Sequence, residues 1–227
     1  MKKNYPIGIQ SFEEIRKGNY CYIDKTALVY KLAESGKYYF LSRPRRFGKS
    51  LLISTLEAYF QGRKELFEGL SMGKLEKEWT EYPILHLDLN AQKYDTPDSL
   101  YDMLNDMLCG WESRYGTRPS ETSLSLRFQG IIQRAAEKTG RNVVILIDEY
   151  DKPMLQVIGN EDLMPDYRNT LKAFYGVMKS CDKYIKFALL TGVTKFSKVS
   201  VFSDLNNLMD ISMDNRFASL CGITEEE

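Results

Sequence analysis

Residues 38–52 read Tyr-Tyr-Phe-Leu-Ser-Arg-Pro-Arg-Arg-Phe-Gly-Lys-Ser-Leu-Leu, and no other stretch restricts the possible folds as much. β-forming residues at 38–41 run into a short basic loop, and Gly48-Lys49-Ser50 opens a helical pattern through residues 51–59. This arrangement sets a helix N-terminus at the end of a strand. Amides there have no intrahelical acceptor, and the helix dipole adds positive character, so the junction suits an anion. Glycine at 48 removes the Cβ that would intrude between backbone and ligand. Lys49 can carry its ammonium to the β- and γ-phosphates of a nucleoside triphosphate, and the Ser50 hydroxyl can complete a Mg2+ shell. Arg45, Arg46, Phe47, Gly48, Lys49, Ser50 and Leu51 are therefore the candidate nucleotide-binding residues. One position departs from G-x-x-x-x-G-K-[ST]: Arg43, followed by Pro44, stands where the first glycine falls. The loop alone also fits a basic surface turn that caps a helix, so the rest of the chain has to decide.

Bulk properties narrow the classes. At 227 residues the chain suits one domain with a sizeable core. Thirty-one basic residues balance 31 acidic ones, so no overall basic field recruits nucleic acid or an anionic membrane. Strong nucleic-acid contact by this segment is not expected, because phosphate neutralisation needs clustered Lys and Arg. No apolar run reaches membrane-spanning length, and Met1-Lys2-Lys3 is not followed by the apolar stretch of a signal peptide. Cys21, Cys109, Cys181 and Cys221 are widely spaced, and His86 is the sole histidine. That pattern argues against zinc and for reduced thiols in a soluble, cytoplasmic protein.

Taken in order, Ser11 caps a short helix stopped by Gly18-Asn19, and Asp24 caps a second that halts at Ser35-Gly36. After the phosphate-loop helix, residues 62–82 look like a charged surface connection with short helical pieces. Residues 83–89 form a second strand carrying His86, which is expected to be a satisfied sheet histidine. Helices are expected over 99–115 and 124–138, the latter closed by Gly140, and over 165–180. Residues 142–147, Asn-Val-Val-Ile-Leu-Ile, give the strongest strand signal and suit a central parallel strand. A fourth strand is expected over 184–190 and a short last one over 209–213.

Strands alternating with helices call for a parallel sheet with right-handed crossovers, and ligands bind such sheets at the C-terminal edge. Three strand ends bring chemistry there: Lys49-Ser50, the pair Asp148-Glu149, and Thr191. A run of hydrophobics closed by Asp-Glu is the form a Walker B element takes. Asp148, with Ser50, would hold Mg2+, and Glu149 would orient and activate the attacking water. An N-cap followed by a dipole-matched acid explains Asp-Glu after a strand as well. The coincidence of both motifs on separate buried strands favours the nucleotide reading. The expected fold is thus a three-layer α/β/α P-loop NTPase with a mostly parallel sheet of about five strands.

Tyr5-Pro6-Ile7-Gly8, residues 22–26 (Tyr-Ile-Asp-Lys-Thr), residues 43–50, Asp148-Glu149-Tyr150-Asp151 and residues 190–197 resemble the bacterial AAA-ATPase-like family, over almost the whole chain. The resemblance implies ATP and Mg2+ as ligands, Glu149, Lys49 and Thr191 as catalytic residues, and frequent fusion to a C-terminal nuclease-like domain of the PD-(D/E)XK type. It makes Arg-Pro-Arg-Arg-Phe the family's own form of the loop. It matches Thr191 to a polar sensor, although a plain strand-end cap describes that residue equally. It also sets residues 22–26 where related ATPases line the adenine. Lys195 and Arg216 are further cations that could neutralise transition-state charge or serve only at the surface. The implied organisation is a lead-in (residues 1–36), an ATPase core (37–222) and the start of a helical lid (223–227). Thr224-x-x-Glu227 is a capping box, so the lid is expected to be absent beyond it. Three readings follow: an ATPase driving conformational change in a larger protein, a nucleotide-gated switch with negligible turnover, and a DNA-associated accessory of an attached nuclease. Assembly into a homo-oligomer is left open.

Overall fold

Strands β1 (Tyr38–Ser42), β2 (Ile84–Asp88), β3 (Val143–Asp148), β4 (Ile185–Gly192) and β5 (Met209–Asp210) form one sheet in the order β2-β3-β4-β1-β5. Every pairing is parallel. The structure is a computed structural model and describes residues 4–194, 205 and 207–227. β3 lies inside the sheet and all its residues are buried, as its β-branched run anticipates. β1 and β3 do not touch; β4 lies between them, with Leu41 opposite Thr191 on one side and Ile147 opposite Leu190 on the other.

The strand order explains the layers. The chain crosses the sheet one way from β1 to β2 and returns through β3 and β4. Right-handed crossovers running in opposite directions must put their helices on opposite faces. Accordingly Tyr39, Leu41, Val144, Leu146 and Leu189 pack with α1 (Phe12–Lys17), α2 (Thr26–Ser35), α3 (Lys49–Phe60) and α4 (Ser71–Leu75). Phe40, Val143, Ile145, Ile147 and Leu190 face α5 (Ser99–Tyr115), α6 (Leu124–Thr139), α7 (Lys152–Gln156) and α8 (Leu163–Ser180). Each large side chain buried this way contributes about 1.5–3 kcal/mol. The architecture is the three-layer α/β/α fold with a five-stranded sheet.

Several boundaries differ from expectation. The stretch 62–82 is no mere surface connection: Leu66, Phe67, Leu70 and Met72 are buried beneath it, and Phe67 packs against Phe12 and Trp79. Its charged residues hid the apolar ones because it holds only a 3-10 turn and the single turn of α4, too short for a period to register. α2 begins at Thr26 with Lys25 as its cap residue; Asp24 sits one place earlier and accepts from Thr26 N–H at 2.9 Å. α7 was not anticipated, α8 starts at Leu163 rather than 165, and the last strand covers 209–210 instead of 209–213. His86 is only half satisfied. Its Nδ1 lies 3.5 Å from Glu57, and its buried Nε2 has no partner among the described residues.

Candidate nucleotide-binding site

The phosphate loop begins where β1 ends. Arg43 N–H donates to Gly192 O at 3.1 Å, carrying the β1–β4 pairing one residue past Ser42. Its guanidinium turns away from the loop to the carbonyls of Ser42 and Ser212, while Ser212 Oγ accepts from Ser42 N–H at 2.9 Å. Arg43 does not have a positive φ; the left-handed residues of the loop are Arg46 (φ 65°) and Gly48 (φ 81°). A glycine is therefore not needed at 43, and the departure from the usual pattern is accommodated by a side chain that anchors the loop to the turn after β5. At Gly48 the backbone supplies a second reason for glycine beside the expected close approach of a ligand. A Cβ there would meet no chain atom nearer than 4.0 Å, while the left-handed φ favours glycine by itself. Non-glycine residues in that region carry about 1–3 kcal/mol of strain, and Arg46 bears it next to the α3 N-terminus.

The three strand ends converge as expected. α3 opens without a side-chain cap, and its second residue, Ser50, donates its hydroxyl to Asp148 Oδ2 at 2.7 Å. The other oxygen, Oδ1, accepts from Thr191 Oγ1 and from Glu149 N–H. Thr191 is fully buried and Asp148 nearly so. Lys49 is only 4% exposed; its Nζ lies 3.1 Å from Arg43 O, 3.3 Å from Pro44 O and 3.3 Å from Glu149 Oε1. Glu149 has φ 54°, and this left-handed backbone lets two successive carboxylates leave the strand toward different partners. The set offers an ammonium, two carboxylates and two hydroxyls within one hydrogen-bonded cluster.

Beside it lies an apolar cavity of about 370 Å³. Its walls come from Tyr5, Pro6 and Ile9 of the lead-in, from Tyr22, Ile23 and Lys25, from Arg46, Phe47, Gly48 and Leu51, and from residues 220–223. The candidate binding residues therefore divide. Lys49 and Ser50 face the carboxylates, Arg46, Phe47, Gly48 and Leu51 line the cavity, and Arg45 is exposed and lines neither. Asp24 and Thr26 do not reach the cavity; they bond to the start of α4, Asp24 to Ser71 and Thr26 to Met72. Burial pushes the Cys221 thiol in the cavity wall up to about 11, which keeps it uncharged. Arg216 is held on the surface by Asp214 at 2.6 Å and does not join the cluster. Lys195 lies outside the described residues. Thr224 N–H donates to Glu227 at 2.9 Å, one half of the anticipated capping box.

Sequence reasoning gives no role to the anchors: Ser42 and Ser212 beneath the loop, and Asp151, quoted in the family motif, whose carboxylate binds the chain leaving β4. Nothing in their spacing marks them, since each acts on a partner more than 40 residues away. The cavity wall at 220–223 was equally silent. The sequence does single out Tyr5-Pro6, residues 22–26 and the loop residues 46–48 and 51, of which Asp24 and Thr26 alone stay out of the cavity wall.

A parallel sheet with a Gly-Lys-Ser loop after one strand and Asp-Glu after the next but one defines a nucleotide-binding α/β protein of the P-loop type. Residues 6–202 match the family described as "Predicted AAA-ATPase", and the chain belongs to it. The chain is 41% identical over 228 aligned positions to a protein of Azotobacter chroococcum mcd 1, "Uncharacterized protein in vnfD 5'region". The whole chain is covered by that match, and it spans 44% of the relative's length. Among the described residues, no helix is long and apolar enough to cross a membrane.

Proposed function

We propose that this chain binds ATP with Mg2+ and hydrolyses it, its nucleotide cycle driving conformational change in a larger protein. The observation that carries the reading is the Ser50–Asp148–Thr191 hydrogen-bond chain lying beside the Lys49–Glu149 ion pair. The adenine would occupy the apolar cavity, and the triphosphate would run along the loop amides at the α3 N-terminus. Lys49 would then bind the β- and γ-phosphates. The Ser50 hydroxyl and the Asp148 carboxylate, 2.7 Å apart, are hard oxygen donors. They fit Mg2+, which takes few protein ligands and keeps waters and phosphates for the rest. Bound there, Mg2+ neutralises charge on the phosphate oxygens.

Glu149 supplies the base. Water attacks the γ-phosphorus as the bond to the β–γ bridging oxygen breaks, and ADP departs with that oxygen's electron pair. The water proton passes to the Glu149 carboxylate, a contribution worth roughly 10²–10⁴-fold in rate. Lys49 couples the two events: phosphates give its ammonium a stronger partner, which frees Glu149 for the water. Thr191 holds Asp148, and in this reading it would also sense the γ-phosphate.

The test is titration of the purified chain with labelled ATP, with and without Mg2+, followed by a phosphate-release assay. Saturable Mg2+-dependent binding with steady release is expected; no binding at millimolar ATP would sink the reading. A nucleotide-gated switch is favoured by the Lys49–Glu149 contact itself, which occupies the base. It predicts tight binding without release in the same assay.

A further inference from the structure

Asp151 is fully buried, and its carboxylate points at the chain leaving β4. Oδ2 accepts from Val193 N–H at 3.1 Å, from Thr194 N–H at 2.7 Å and from Thr194 Oγ1 at 2.8 Å. The same turn contributes two more bonds. Tyr150 donates its hydroxyl to Thr194 O at 2.8 Å and its N–H to Thr191 O at 2.9 Å. The junction is tight enough to dictate the residue opposite: a Cβ on Gly192 would lie 2.4 Å from Tyr150 Cε1 and 2.7 Å from Asp151 Oδ1.

Glu149 stands between two fixed points. On its N-terminal side Asp148 is held by Ser50 and Thr191; on its C-terminal side Asp151 is held by residues 193 and 194. A non-glycine residue at φ 54° persists only when its surroundings over-determine it. We infer that Asp151, through its bonds to Val193 and Thr194, is a positioning residue that fixes the turn presenting the Glu149 carboxylate to the attacking water; the inference rests on the hydrolytic reading above. The position needs a carboxylate. An asparagine could keep the bonds on Oδ2, but its NH2 would replace Oδ1, which accepts from Val193 N–H at 3.3 Å, setting donor against donor, and its neutral oxygen is a weaker acceptor.

The experiment compares Asp151→Asn in the wild-type background and combined with Glu149→Gln, using the full chain. Asp151→Asn is expected to keep its ATP dissociation constant within about threefold while phosphate release falls about 10–100-fold, as for a misplaced reacting group. In the Glu149→Gln background the second change should lower the residual rate no further, because both act through one carboxylate. Equal losses in both backgrounds, or weakened binding in step with the rate, would overturn the inference. Should Asp151→Asn not fold, Tyr150→Phe removes one bond of the same clamp and should slow release severalfold at unchanged affinity; an unchanged rate overturns the inference. Hydrogen exchange of the Tyr150 and Lys152 amides, which bond to Thr191 O and Glu149 O, is read in parallel. Either variant should speed these two amides and leave those of α3 unchanged. If the wild type binds ATP without turnover, the hydrolytic reading fails and the exchange result decides the clamp alone; unaltered exchange shows that no clamp exists.

Discussion

At Lys49 an ammonium is almost wholly buried, with two carbonyls and one carboxylate within reach. Such a group is a strong phosphate ligand because little solvent has to be removed to engage it. Lys49→Ala should weaken triphosphate binding by about 10–100-fold or more, on a loss of 1.5–3 kcal/mol per charged hydrogen bond. Its circular dichroism spectrum should match the wild type, since Glu149 keeps partial access to water. Unchanged affinity in a folded variant would mean that the loop does not bind the phosphates. The two acids differ in surroundings and so in expected effect. Asp148 has both oxygens engaged by hydroxyl groups at the metal position, whereas Glu149 touches only Lys49 among the described side chains. Glu149→Gln should retain ATP affinity and reduce turnover by roughly 10²–10⁴-fold. Asp148→Asn should weaken the Mg2+-dependent part of binding. Isothermal titration with and without Mg2+, beside phosphate release, separates the two roles; identical effects would show that they are not divided.

The elements are joined by side chains that the helical and strand patterns do not reveal. Asp24 accepts from Thr26 N–H and Oγ1 ahead of α2 and from Ser71 N–H and Oγ at the start of α4, tying two helix N-termini together. Burial raises its carboxyl pKa, but the bonds from Thr26 and Ser71 outweigh this and leave it below the ordinary value. A carboxyl depressed in the folded state stabilises above its unfolded pKa and loses that contribution as pH falls through the folded one. Asp24→Ala should therefore lower stability by about 1 kcal/mol at pH 7. The difference from wild type should shrink in denaturant melts at pH 3 and below; a gap that stays constant would mean that packing, not charge, is responsible. At the end of β4, Gly192→Ala tests how closely β4 and the turn after β3 are fitted. Tyr150 and Asp151 are buried and cannot retreat, so about 1–3 kcal/mol of destabilisation is expected from overpacking. A melting temperature equal to that of the wild type would show the junction to be looser.

On the scale of the molecule, the site joins the helical layer of α1, α2 and α3 to the C-terminal edge of the sheet. The cavity draws on the lead-in, on α3 and on residues 220–223, while the carboxylates sit on β3 and its turn. A ligand bridging these parts binds the folded state alone. At about 100 times its dissociation constant it should add ~2.7 kcal/mol of stability. For a domain of this size that corresponds to roughly 5–10 °C in melting temperature. Thermal melts with Mg2+ and ATP should show the shift, a chelator should reduce it, and Lys49→Ala should lack it. A shift that survives in Lys49→Ala would place the ligand elsewhere.

Much of this is legible in residues 38–52 and 142–149 alone. A buried parallel strand must be apolar throughout, and a phosphate loop must carry glycine and lysine where the backbone turns, so both leave marks in a local window. The β1–α3 junction, the central place of β3 and the meeting of Lys49, Ser50, Asp148, Glu149 and Thr191 followed from those marks and from parallel topology. Local windows hold no record of partners far along the chain. The ties from Arg43 and Ser42 to Ser212, from Asp151 to residues 193 and 194, and from Asp24 to Ser71 join segments whose spacing no hydrophobic period reports. The buried face of residues 62–82 was hidden for the same reason. What the amino-acid order determined by itself was the class of sheet and the chemistry at its edge, because those depend on residue type and near neighbours. Which side chains hold that chemistry in place was decided by packing, where distant segments come within hydrogen-bond reach only once the layers have closed.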